Sequence, residues 1–401
     1  MIHSNGLILT LVGGFVLAFA LGMLAFRLRL SPLVGYLAAG VIVGPFTPGW
    51  VADHSVANQL AEIGVILLMF GVGLHFAPKD LMDVRRVAVP GALLQIVLAT
   101  GLGAALYQLL HVGLLEAALL GFSLSVASTV VVLRTLEERK ETKSEVGRIA
   151  IGWLVIQDLV VIVALVLIPL LLGPKAGGDG WAVAGEVGWR LLLIACFIGL
   201  MFVVGGRVLP WLLVRIAHTK SRELFTLGVL AIALGIAWLA FAVFGASFAL
   251  GAFVAGVVLN GTPLGHHAAE RSLPLRDAFA VLFFVSVGML FDPQIVLKEP
   301  LALAAVVGIV LVSGAVSALV VARLAKVSRS KSGLLAASLP QIGEFSFVLA
   351  GLGVSVGVFS HNTQSLIIAA AIISIAVNPV LLWIADKAAG EKTRKPQGAQ
   401  T

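Results

Sequence analysis

The sequence has 401 residues, of which 60% are hydrophobic and 12% charged, with a mean hydropathy of +1.08. No water-soluble domain of this length needs so many apolar runs, so composition excludes the soluble classes and points to a polytopic membrane protein. The net charge of +7 then reflects where the loops sit rather than an affinity for nucleic acid.

Read against a window of about 19 residues, the chain predicts an all-α fold of thirteen transmembrane helices. The first half gives Gly6–Phe26, a short Pro32–Val43, Leu60–Phe76, Ala88–Leu110, Leu115–Leu133 and Gly147–Leu172. A middle span, Trp189–Leu213, follows. The second half gives Glu223–Phe244, a short Ser247–Leu259, Leu275–Phe291, Leu301–Val321, Ser332–Val356 and Ser365–Ala385. The leader MIHSN carries no Lys or Arg, and Arg27 and Arg29 follow the first run. That run is therefore expected to stay as a membrane helix rather than be removed as a signal. The lone cysteine, Cys196, lies inside an apolar run and leaves no intrachain disulfide to form.

Charge placement supports this count. The odd-numbered loops and the C-terminal tail carry 24 of the 27 Lys and Arg, and the opposite side carries Lys175, Arg190 and Lys298. One missed or invented span would scramble that split. By the positive-inside rule the N-terminus is expected outside and the C-terminus in the cytoplasm.

Internal similarity is also present. Span 2 reads LVGYLAAGVIVG and span 9 ALGAFVAGVVLN, with Gly35 and Gly40 falling on Gly251 and Gly256. Span 3 reads VILLMFGVGLHF and span 10 AVLFFVSVGMLF, with Gly73 on Gly288. Copies seven spans apart sit upside down relative to each other, and inverted repeats mark transporters whose site lies near the midplane. The same offset sets span 5, GFSLSVASTVVVLRTL, against span 12, AASLPQIGEFSFVLAGL. Ser125 then falls on Gln341 and Ser128 on Glu344.

Both of these spans are interrupted where they should be most apolar. Ser123, Ser125, Ser128 and Thr129 crowd one stretch; Pro340, Gln341, Gly343 and Glu344 crowd the other. Proline removes a backbone donor and glycine loosens the helix, so carbonyls and half-helix ends are expected to face a cavity. Close helix packing through small residues is the structural alternative, and it is the reading preferred for Ser123.

Span 6 carries one ionisable side chain mid-span, Asp158, beside the polar Gln157. A carboxylate there costs about 2.5–3.5 kcal/mol on insertion scales, so it reads as a functional group by default. A midplane carboxylate beside hydroxyls and backbone carbonyls makes a hard-oxygen site for a monovalent cation. The same carboxylate binds protons, so the two ions compete for one group. If only the loaded site can cross, obligatory cation/proton exchange follows. Glu62 and Glu116 sit near span ends within reach of water, and His266 and His267 lie in a cytoplasmic loop where they read as solvated residues rather than a pH sensor. The sequence contains no phosphate-binding loop, zinc-ligand spacing or nucleophile elbow, so neither enzymatic activity nor a cofactor is expected.

The runs SPLVGYLAAGVIVGP, IGWLVIQDLV, SRELFTL, LPLRDAFAVLFFVSVGM and QIGEFSFVLAGL, with the AST of span 5, are similar to the monovalent cation:proton antiporter-2 family. Within it they resemble the Kef-type potassium/proton antiporters, nearest its YbaL/RosB-like members, over their transmembrane domain. The resemblance implies a sodium/proton-antiporter-like fold of inverted repeats with crossed, unwound helices, assembled as a homodimer in the bacterial inner membrane. It implies scaffold and dimer spans at 1–86 and 223–297, core spans at 87–173 and 298–386, a linker span at 174–222 and a polar tail at 387–401. Asp158 matches the family's ion-binding aspartate and Gln157 its neighbour, while Ser128 and Thr129, with Ser125, match the unwound crossing helix. Glu344, with Gln341 and Gly343, matches the second crossing helix. The substrates implied are potassium, with sodium as the other choice, and protons.

Three departures accompany the match. Kef proteins typically continue into a nucleotide-binding regulatory domain, whereas this sequence ends in GEKTRKPQGAQT. The loop that is acid-rich in glutathione-gated members reads GHHAAERS. Several relatives place a lysine where this chain has VVGIVLVSGAVSALV. These departures put nucleotide or glutathione regulation in doubt, and the sequence reads either as a naturally bare transporter or as the transmembrane part of a longer protein. Two other classes share the composition: a gated potassium channel, and a regulatory or scaffold subunit of the membrane.

Overall fold

Apolar runs of this length offer the backbone no partner except itself, and the described chain is correspondingly helical. The computed structural model describes residues 6–28, 30–47, 54–75, 78–142, 144–172, 180–260, 262 and 264–389. In chain order the helices are α1 (Gly6–Arg27), α2 (Pro32–Val43), α3 (His54–His75), α4 (Pro78–Ala105), α5 (Leu114–Leu124), α6 (Thr129–Glu138) and α7 (Glu145–Leu172). There follow α8 (Gly180–Leu200), a π-helical turn at Met201–Gly205, α9 (Gly206–Ala217), α10 (Arg222–Phe244), α11 (Phe248–Asn260) and α12 (Gly265–Met289). The last are α13 (Ile295–Lys298), α14 (Pro300–Leu324), α15 (Arg329–Ser338), α16 (Glu344–Ser355) and α17 (His361–Ala389). Eight of the described spans are long and apolar enough to cross a membrane, and five shorter apolar helices accompany them. The chain is a multi-pass membrane protein.

Helix boundaries follow local chemistry. Ser221 opens α10 by accepting from the Leu224 N–H at 3.2 Å, and Pro300, which has no N–H to leave unpaired, opens α14. Gly245 closes α10 in the left-handed region at φ +63°, where a Cβ would be strained. The expected middle span differs in form: α8, the π turn and α9 run on continuously to Ala217.

The chain divides into two compact units. The first comprises Met1–Ala18, Ile42–Pro78 and Ile162–Met289. Within it α3 meets α11 through facing glycines. A methyl on Gly73 would stand 3.0 Å from the Gly256 Cα, and one on Gly256 would stand 2.9 Å from the Gly73 Cα. Neither position tolerates a side chain at this approach. His267 is exposed, with its Nδ1 3.4 Å from Glu270, and the side chain of His266 lies outside the described residues.

The second unit comprises Phe19–Val41, Lys79–Val161 and Leu290–Thr401. Its core joins α4, α6, α7, α14 and α15 around the fully buried Trp153. The Trp153 indole donates to Gln95 Oε1 at 2.8 Å, so the one polar atom of that ring is satisfied without water. Polar ties reach α17 along its length. The Arg139 guanidinium donates to both Asp386 oxygens at 2.7 and 2.9 Å. At the other end Glu116 accepts from the Ser360 N–H at 3.1 Å and from the Thr363 hydroxyl.

Candidate ion-binding site

The two spans singled out for their polar interruptions are each broken into two helices. Span 5 is α5 and α6 with residues 125–128 between them; span 12 is α15 and α16 with residues 339–343 between them. In the first break the Ser125 hydroxyl donates back to the Phe122 carbonyl at 2.6 Å, and Ser128 accepts from the Val131 N–H to cap α6. Serine thus satisfies groups that continued helix would have paired. In the second break Pro340 cannot donate, and the Gln341 amide donates to the Ser338 carbonyl at 2.7 Å.

The breaks meet. Ala127 and Ile342 form an isolated antiparallel bridge, and the Gly343 N–H donates to the Val126 carbonyl at 3.0 Å. Gly343 is required by proximity: a Cβ there would lie 2.8 Å from the Ala127 oxygen and 2.9 Å from the Ser128 Cα. Gly314 on α14 makes room for the other strand in the same way, since its Cβ would lie 2.9 Å from the Pro340 Cα.

Helices α7 and α17 supply the side chains around this crossing. Asp158 is 2% exposed. Its Oδ2 accepts from the Thr129 hydroxyl at 3.3 Å, and its Oδ1 has no hydrogen-bond partner among the described residues. Glu344, in the first turn of α16, is 4% exposed, and neither of its oxygens has a partner there. The two acids lie within electrostatic reach of each other. Gln341 Oε1 and the Ser346 hydroxyl are likewise buried and unpartnered. Buried polar atoms are paired as a rule, so this concentration of oxygen acceptors beside two acids is what a site for a proton or a hard monovalent cation requires.

The structure brings Asp158, Gln157, Ser125, Ser128 and Thr129 together, and Gln341 and Gly343 lie on the opposing strand, with Glu344 opening the helix that follows it. Their atoms are used differently from one another. The Ser125 hydroxyl is turned onto its own helix, and the Ser125 carbonyl is what meets Gln157 Nε2, at 2.8 Å. Three further residues take part that sequence reasoning passed over. Ser374 Oγ accepts from the Ile342 N–H at 3.2 Å, Asn378 Nδ2 donates to the Ala337 carbonyl at 2.8 Å, and Ser346 adds an unpartnered hydroxyl. Their signal was present in the sequence: Ser374 and Asn378 are four apart, on one helical face of an apolar span.

A helical membrane protein with crossed, interrupted helices around buried acids defines the class of secondary ion carriers, and similarity narrows the class. Residues 14–383 match the family described as sodium/hydrogen exchanger, transmembrane. YbaL of Escherichia coli, described as a cation/proton antiporter, is 54% identical over 96% of this chain and 70% of its own length. K(+) efflux antiporter 4 of Arabidopsis thaliana is 33% identical over 90% of this chain, which spans 61% of that relative's length. The solved structure of the sodium proton antiporter MjNhaP1 from Methanocaldococcus jannaschii shares the fold, with a TM-score of 0.72 at 16% identity, covering 96% of this chain and 98% of that one. The chain belongs to the sodium/hydrogen exchanger family and, within it, to the Kef-type cation:proton antiporters, a family of transporters rather than enzymes.

Proposed function

We propose that this protein exchanges a monovalent cation, potassium in preference to sodium, for protons by alternating access, with Asp158 binding either ion in turn. The observation that carries the reading is Asp158 itself: a carboxylate buried in an apolar helix, steadied at one oxygen by Thr129 and unpartnered at the other. A proton or a dehydrated cation at Oδ1 removes the cost of a bare charge in the membrane. The unloaded carrier keeps that cost and is held from crossing, which couples the two fluxes. Thr129, Ser128 and the adjoining backbone carbonyls share in holding the cation, and Glu344 stands in the first turn of the helix that follows the second crossing strand.

The wider arrangement is part of the same reading. Eight long and five shorter apolar helices support thirteen spans, with α5 and α6 forming one and α15 and α16 another. The ion-carrying part comprises spans 4–6 and 11–13. The orientation places the N-terminus outside and the C-terminus in the cytoplasm of a bacterial inner membrane, and the protein works as a homodimer. Kinship with a K(+) efflux antiporter and with YbaL supports the cation and the exchange.

Purified protein in proteoliposomes, with a pH dye inside and a cation gradient imposed, tests the proposal. Cation-dependent proton movement that stops in Asp158→Asn is the expected result. Flux of one ion without the other would mark a channel, and no flux would mark a regulatory subunit.

A further inference from the structure

The Gln-Asp pair on α7 reads in sequence as two neighbouring ion ligands. The geometry assigns Gln157 a different task. Gln157 Oε1 accepts from the Ala127 N–H at 3.1 Å, and Gln157 Nε2 donates to the Ser125 carbonyl at 2.8 Å. Gln157 is fully buried, so both ends of its amide are committed to the backbone of the first unwound strand. They restore a donor and an acceptor that the helix break had left without helical partners.

The second strand has a matching device. Ile342, the residue bridged to Ala127, gives its own N–H to Ser374 Oγ at 3.2 Å, and the Ser374 hydroxyl in turn donates to the Ala371 carbonyl at 3.1 Å. Positions 127 and 342 lie 215 apart, and positions 157 and 374 lie 217 apart. Each bridging residue is therefore tied by its N–H to one side chain on a helix that follows it, α7 in one case and α17 in the other.

We infer that Gln157 and Ser374 are paired positioning residues. Each splints the bridging residue of one crossing strand, and neither contributes its side chain to the transported ion. The inference deepens the proposed exchange and rests on it for its functional part. A splint needs a donor and an acceptor in fixed places, which an amide supplies to the strand beside Asp158 and a carboxylate does not. By holding Ala127 and Ile342, the pair fixes where Thr129 meets Asp158 and where Glu344 begins its helix.

Hydrogen–deuterium exchange of the whole protein in nanodiscs, read at single residues, tests the structural half. Gln157→Met, similar in shape but without the amide, is expected to speed exchange at the Ala127 amide by about tenfold, the scale of one buried hydrogen bond, and to leave Ile342 unchanged. Ser374→Ala is expected to do the reverse. Should Gln157→Met lose protection all along α7, the Ser374→Ala arm decides. In proteoliposomes both variants are expected to lower the maximal exchange rate while the half-saturating cation concentration stays within about twofold, and Ser374→Thr is expected to restore the rate. Unchanged protection at the matching amide overturns the inference. So does a raised half-saturating concentration at full maximal rate, which is the mark of a lost ion ligand. Wild-type protein that exchanges no ions fails the antiport reading alone, because amide protection does not depend on transport.

Discussion

Gly343 lies so close to Ala127 that a single methyl on it would stand 2.8 Å from the Ala127 carbonyl oxygen. Backbone on both sides leaves no flexible side chain to move aside. Gly343→Ala is therefore expected to push the crossing apart, at about 1–3 kcal/mol, the usual cost of overpacking a tight contact. Thermal unfolding of the purified variant measures the loss, and proteoliposome exchange is expected to fall with it. A variant with wild-type stability and rate would show that the strands are free to separate.

Asp158→Asn separates function from folding. Replacing a carboxylate that costs about 2.5–3.5 kcal/mol to insert with an amide of the same shape should leave the melting temperature at or above that of the wild type. Exchange should vanish. Retained exchange in this variant would remove Asp158 from the mechanism.

Thr129 is the one hydrogen-bond partner of Asp158 among the described residues. Thr129→Val keeps the shape and loses the hydroxyl. A hydrogen bond to a charged group is worth about 1.5–3 kcal/mol, so the half-saturating cation concentration is expected to rise by about tenfold or more. Thr129→Ser keeps the donor and should stay near the wild-type value. Equal behaviour of the two variants would mean that the hydroxyl does not hold the carboxylate in the cation-bound state.

Stoichiometry follows from the charges. Gln157 is neutral, and α14 contains no lysine, its one basic residue being Arg323 in the last turn. With Asp158 alone alternating between one proton and one cation, the exchange is expected to be electroneutral. Net proton flux driven by membrane potential alone, set with an ionophore for an ion that the protein does not carry, would show that Glu344 also changes its load during the cycle. Half-saturation by potassium at a lower concentration than by sodium is expected in the same assay.

Topology can be tested at two described lysines. Cysteines replacing Lys326 and Lys298, in a Cys196→Ala background, are expected to be protected and labelled, respectively, by an impermeant thiol reagent on intact cells. Lys143, the third position that the charge pattern orients, lies outside the described residues. Labelling at 326 would break the proposed orientation.

The breaks and the buried acids were legible in the sequence because they violate the composition around them. Serine, proline, glycine and an acid inside apolar runs have few uses other than interrupting a helix or lining a site. What the atoms of each residue do was not legible. Ser125 reads as a hydroxyl ligand, yet its hydroxyl serves Phe122 and only its carbonyl faces Gln157. Gln157 reads as a ligand by adjacency to Asp158, and only coordinates show that both ends of its amide are taken. Ser374 and Asn378 were passed over for the opposite reason: two small polar residues four apart in an otherwise apolar span look like packing until the strand and the helix end that they hold are seen. The registers that pair α17 with residues 116, 139, 337 and 342 are long-range, and nothing local encodes them.

The ties made by α17 also set an order of construction. This helix receives Ser360 and Thr363 contacts from Glu116, holds Ile342 and Ala337 through Ser374 and Asn378, and ends on Asp386 against Arg139. Ribosomes deliver the chain from its N-terminus, so α5, α6, α15 and α16 enter the bilayer before the helix that fastens them exists. During that interval the Ile342 N–H of the second unwound strand lacks the Ser374 hydroxyl that it has as a partner in the finished protein. On the proposed exchange, the carrier is expected to hold an ion only once this last described helix has docked, and a chain cut before Ser374 is expected to insert its earlier helices yet carry no ion.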